Sequence, residues 1–250
     1  MKPPVDENAF EQQQPAAAVV AGNWFPIKGL PSSTTGFEGR PLTFRELKKL
    51  SYADEATIED VMIDVCKSAV RHANNLPILH PDLRYIMLWL RTNTMLDPRF
   101  DMQFDCVACA KVSTFKLEPA DIETVQLPTS YEGAVGIKAG ENVVVVGIPT
   151  AQRVLSSKEI ERKYSEEEGI GLDAYVSACV LEVDTQPLVT PLDAFNRMNQ
   201  MSPDAVLRIH EEVGKMDCGV SDVVRKPCKH CGVEQNIELD MTAVFFFPTV

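Results

Sequence analysis

Apolar residues along this chain change period several times, and each change marks an element. Thr43-Phe-Arg-Glu46 has the spacing of a capping box, Thr43 as N-cap with Glu46 three residues on, and opens a helix through Leu50. Thr57 and Asp60 open a second helix, with Ile58, Val61, Met62, Val65, Ala69 and Val70 on one face. Asp82 begins a third, bracketed by Pro81 and Pro98, that buries Leu83, Ile86, Met87, Trp89 and Leu90. The period then shortens to two. Val112, Thr114 and Lys116 alternate with Ser113, Phe115 and Leu117, and Gly232 to Asp240 has the same character, so both read as strands.

The stretch between these strands predicts a strand pair, Glu123 to Leu127 with Asn142 to Ile148. Helices follow near 156–164, 172–181 and 191–201, and a fourth starts at Pro203, a natural first-turn proline, and runs to about Lys215. Residues 1–22, rich in Pro, Gln and Ala, show no period; they predict a flexible arm, or a tail that orders against a neighbouring subunit. Asn23 to Pro31 reads as an extended segment anchored by Trp24 and Phe25. Phe245, Phe246 and Phe247 are costly to leave in water and so pack in the core or against a partner.

Two cysteine pairs carry the chemistry. Cys106-Val-Ala-Cys109 and Cys228-Lys-His-Cys231 each place two thiolates three positions apart, enough for two corners of a metal tetrahedron. A closed structural zinc site needs four corners, and strands flank both pairs, as in a zinc ribbon split by a long insertion. Gly232 suits the tight turn after the second pair, and Ala110 holds the matching place in the first. The rival readings are a metal-free coincidence and a pair of redox dithiols, although redox chemistry favours CxxC at a helix start. His210-Glu211-Glu212 ahead of Pro227-Cys228 also matches the HxE…PCxxC letters of zinc deaminases, but the spacing leaves little room for the intervening strand and Cys106 and Cys109 would stand idle.

Composition narrows the function. The chain has 24 basic and 36 acidic residues, net −12, which opposes a phosphate backbone; Lys226, Lys229 and His230 make only a small basic face. No stretch approaches the roughly 18 apolar residues of a membrane span, and no signal peptide is evident. Seven cysteines, four in metal spacing, favour a reducing compartment, with Cys66, Cys179 and Cys218 as small buried apolar residues. Glu166-Glu-Glu168 reads as a solvated cluster and His72 and His80 as isolated. Nothing forms a phosphate-binding glycine loop, a nucleophile elbow or a patterned carboxylate pair, so no enzyme activity is expected.

Four segments taken in order resemble a known family: Leu30-Pro-Ser-Ser33, then Arg40-Pro-Leu-Thr-Phe-Arg-Glu-Leu-Lys-Lys-Leu50, then Asp82 to Arg91, then the cysteine pairs. This order is similar to the T-even-type phage baseplate hub proteins of contractile-tailed phages. The resemblance implies a structural subunit of the virion's tail baseplate, made in the host cytoplasm, with other baseplate, hub and tail proteins as partners. It equally allows a transient hub assembly chaperone, and a nucleic-acid-binding zinc ribbon is the rival from another class. The expected fold is α+β: a helical N-terminal part plus a split zinc-ribbon-like β unit with an inserted mixed α/β region. The expected divisions are 1–22, 23–100, 101–120 with 218–250, and 121–217. Cys106, Cys109, Cys228 and Cys231 would hold one structural zinc, and Trp24, Phe25 and Phe245 to Phe247 are the candidate docking residues.

Overall fold

A computed structural model describes residues 23–54, 57–131 and 133–239. The expected arm over 1–22 and the docking candidates Phe245, Phe246 and Phe247 lie outside the described residues.

The N-terminal part mixes helices with a small sheet. Strands β1 (Phe25–Pro26), β2 (Phe37–Gly39) and β3 (Val70–His72) pair antiparallel in that order. Helices α1 (Phe44–Ser51), α2 (Ile58–Ala69) and α3 (His80–Thr94) pack beside them. The Thr43–Glu46 capping box opens α1 as expected. Two boundaries differ. Val70 leaves the second helix in extended conformation (φ −130°, ψ 142°) and starts β3, because its apolar side chain serves a strand as well as a helix face. Helix α3 begins at His80 and takes Pro81 into its first turn, where a missing N–H costs nothing.

The cysteine pairs sit in two hairpins. Strands β4 (Phe100–Asp105) and β5 (Val112–Leu117) pair with Asp105 opposite Val112, closing around the first pair. Strands β12 (Val223–Pro227) and β13 (Glu234–Glu238) pair with Pro227 opposite Glu234, closing around the second.

The middle region corrects one expected pairing. Strand β6 (Thr124–Val125) pairs with β11 (Gly219–Val220), not with the stretch from Asn142 to Ile148. That stretch, as β8 (Asn142–Gly147), pairs with β7 (Ala134–Ala139) across a tight turn in which Gly140 has φ +63°. Its other side pairs with β9 (Val180–Val183), and β10 (Gln186–Pro187) completes the sheet in the order β10-β9-β8-β7. Asp184 and Thr185, both at positive φ, form the β9–β10 turn, as a two-residue hairpin with right-handed twist requires. Helices α4 (Ala151–Lys163), α5 (Ile170–Cys179), α6 (Pro191–Met198) and α7 (Pro203–Gly214) cover this region. The first starts at Ala151, ahead of its expected position, because the Thr150 side chain caps it by accepting the Arg153 N–H.

Three apolar clusters form among the described residues. The largest joins Leu30, Leu50, Val65, Ile86 and Leu90 of the N-terminal part to Phe100, Leu117, Val224 and Leu239 of the hairpins. A second lies between the four-stranded sheet and helices α5 to α7, and a small third holds Ile160, Ala174 and Phe195.

Candidate metal centre

Both cysteine turns have the same local geometry. The Cys106 N–H donates to Lys111 O and the Ala110 N–H to Cys106 O; the Cys228 N–H donates to Val233 O and the Gly232 N–H to Cys228 O. Each turn needs a left-handed residue directly after its second cysteine, and Ala110 (φ 54°) and Gly232 (φ 74°) supply it. Glycine takes that conformation freely and alanine under strain.

The turns meet face to face. All four sulfurs lie within 4.8 Å of one another. Cys106 Sγ is 3.6 Å from Cys231 Sγ, and Cys109 Sγ is 3.8 Å from Cys228 Sγ. Zinc–sulfur bonds of about 2.3 Å in a tetrahedron put the sulfurs about 3.8 Å apart, so the donor set fits that ion. Cys106 and Cys228 are buried, Cys109 is half-buried and Cys231 is exposed.

Contacts invisible in the sequence lock the hairpins together. Buried Ser113 places its hydroxyl 3.3 Å from Cys228 Sγ, and the His230 backbone N–H donates to the same sulfur at 3.4 Å. These two donors bring the Cys228 thiol down to about 5, favouring the thiolate a metal needs. His230 Nε2 contacts Val112 O at 3.0 Å, and Gln235 Oε1 accepts the Val107 N–H at 3.1 Å. The sequence signal for Ser113 and Gln235 was only their inward phase in the strand alternation.

The other candidates fall elsewhere. His210 lies on α7 with Nε2 3.1 Å from an Asp173 carboxylate oxygen, and the metal-competent group holds four cysteines and no histidine. Cys66 and Cys179 are buried and Cys218 half-buried; burial raises the Cys179 thiol to about 12 and that of Cys218 to about 11. Trp24 is half-buried, its ring 4.4 Å from the Arg71 guanidinium carbon, while Phe25 is 44% exposed.

The recognised motifs are contact pairs. Ser32 donates its N–H (2.9 Å) and hydroxyl (2.6 Å) to the carboxylate of fully buried Asp82 in the first turn of α3. Burial raises the Asp82 carboxyl above its ordinary value, and the two Ser32 bonds oppose the rise. Arg40 grips Glu46 with two bonds of 2.9 and 2.7 Å and also reaches Ser68 O, tying α1 to α2. Arg91 at the end of α3 donates to Pro98 O and Arg99 O and lies over the Phe100 ring, tying the helix to β4.

The family model described as T4 bacteriophage base plate protein matches residues 25–247, and the chain belongs to that family. Membership puts it in a multi-subunit phage tail assembly, and none of the described helices is long and apolar enough to cross a membrane. No curated protein and no solved structure matches the chain.

Proposed function

We propose that the chain is a structural, non-enzymatic subunit of the baseplate hub whose fold is clamped by one zinc ion and which docks onto neighbouring tail proteins. The family match over residues 25–247 carries the baseplate role. The convergence of Cys106, Cys109, Cys228 and Cys231 within 4.8 Å supports the clamp. Four thiolates leave no open position for a water, so zinc there supplies cohesion and no chemistry. Cys106 and Cys109 hold it from the first hairpin, Cys228 and Cys231 from the second. Of the two docking candidates among the described residues, Phe25 is the freer, since Trp24 is already engaged with Arg71.

Two measurements test the reading. Mass spectrometry of purified particles should find the chain in the finished baseplate; its absence from particles that need it for assembly would make it a chaperone. Elemental analysis of the purified protein should give about one zinc per chain, and a cobalt-substituted sample should show tetrathiolate absorption. A metal-free, fully folded protein would remove the clamp.

A further inference from the structure

We propose that the cysteine-turn tip of one copy docks onto the acidic loop ahead of α5 in a second copy, making a head-to-tail contact between subunits. The tip is apolar and basic. Val107 is 91% exposed, Val112 47% and Val233 45%. Val107 and Val233 are neighbours through Gln235, which accepts the Val107 N–H and donates to Val233 O; Val112 lies against His230.

Around these valines basic groups outnumber acidic ones, with Asp105 and Glu234 at the edges of the patch. Cys106 to Leu117 and Val223 to Val233 hold Lys111, Lys116, Arg225, Lys226 and Lys229 and no carboxylate, in a chain of net −12. Lys116 and Lys226 are engaged by Asp101 and Asp121. Lys111, Arg225 and Lys229 are exposed and have no ion-pair partner among the described residues.

The complement lies on the same chain. Glu166, Glu167 and Glu168 are exposed, and no Lys or Arg occurs between Lys163 and Arg197. Leu172, 61% exposed, stands beside them, and Gly169 and Gly171 leave the approach open, since a Cβ at either would meet nothing within 4 Å. Two different patches that fit one another make a heterologous contact, which closes into a ring or grows as a filament. Complementary charged patches of this kind speed and orient association more than they tighten it.

Sedimentation velocity of the metal-loaded full chain tests this, at about 20 mM and about 500 mM salt, where the screening length falls from roughly 20 Å to under 5 Å. Wild type should self-associate reversibly and more weakly at high salt. Lys111→Glu with Lys229→Glu should raise the dissociation constant about tenfold or more, and so should Glu166→Lys with Glu168→Lys. Mixing the two variants should restore association, because the intact loop of one meets the intact tip of the other. Zinc content confirms folding at the tip, and Arg225→Glu, away from the cysteines, gives a second tip variant. A monomer at every concentration, association that strengthens with salt, or variants that fail to complement would each overturn the contact. Incorporation into particles is read separately, so this contact and the baseplate role can fail independently.

Discussion

Removing one corner of the sulfur cluster tests the clamp most directly. Cys231→Ser leaves three thiolates and opens the closed site, so zinc should be lost or held far more weakly. The segment tied off between Cys109 and Cys228 spans 119 positions. Cross-linking a loop of that length removes about 5 kcal/mol of unfolded-chain entropy, a floor that ignores the metal–sulfur bonds themselves. Domains of ordinary size are stable by about 5–15 kcal/mol, so the loss is a large share of the total. At about 2–4 °C per kcal/mol for a chain of this size, the melting temperature should fall by about 10–20 °C. Scanning calorimetry, with elemental analysis of the same samples, measures both quantities. Chelation of the wild type should reproduce the shift. A verified zinc-free sample melting within about 3 °C of the native protein would refute the reasoning, and so would a Cys231→Ser protein that keeps stoichiometric zinc.

Four further substitutions probe the contacts that build the fold. Glu46→Gln should cost about 2 kcal/mol at pH 7, because it breaks the two-bond grip of Arg40 at a nearly buried site. Burial pushes the Glu46 carboxyl up, but Arg40, Ser68 and Thr43 outweigh it and bring it down to about 2. Its contribution is therefore present above the ordinary value of 4.5 and fades as pH falls toward 2, so urea melts should show the mutant's deficit shrinking over that window. Ser32→Ala removes a hydroxyl donor from buried Asp82 and should cost about 1–3 kcal/mol. Because the folded carboxyl is raised, its ionisation is opposed as pH climbs, and the deficit in chemical denaturation should be larger at pH 7 than near pH 4. Ala110→Gly should stabilise by about 0.5–1 kcal/mol by relieving a left-handed alanine, while Gly232→Ala should destabilise by about 1 kcal/mol; thermal melts showing equal signs would contradict the shared turn geometry.

Much of this structure could be read from local patterns. The four cysteines were legible because CxxC spacing is itself metal geometry, and Thr43–Glu46 because a capping box closes within three residues. Contacts made at long range were not. Strands β3 and β9 each follow a helix without a Gly or Pro break, at Ala69–Val70 and Cys179–Val180, so their apolar residues extended the helical period. Strand β7, Ala-Val-Gly-Ile-Lys-Ala, has weak strand propensity and is held by β8. The partner of Thr124–Val125 lies nearly a hundred residues away at Gly219–Val220, beyond any local signal. At the sulfur cluster the same division holds: the cysteines were visible, but Ser113 and Gln235 act on the opposite hairpin and showed nothing beyond their inward strand phase.

The place of the proposed clamp in the fold determines where its loss would be felt. Val224 and Leu239, on either side of the second cysteine pair, lie in the same apolar cluster as Leu50, Ile86 and Leu90, and Phe100 and Leu117 enter it from the first hairpin. The four-stranded sheet has a separate cluster built on Val144, Val146, Val183 and Ile209. A metal that held the two hairpins together would therefore brace the N-terminal core directly and reach the second core only through contacts between the two regions, such as the Lys158–Glu59 ion pair and the Leu79–Thr150 bridge. Two-stranded hairpins are marginal alone, so without the ion β4, β5, β12 and β13 would keep only their anchorage in the core through Phe100, Leu117, Val224 and Leu239. Hydrogen exchange after chelation should show these strands and the end of α3 losing protection first, while β7, β8 and β9 keep theirs. Loss of protection at equal rates in both regions would mean that the two cores unfold as one unit and that the sulfur cluster supports the whole chain.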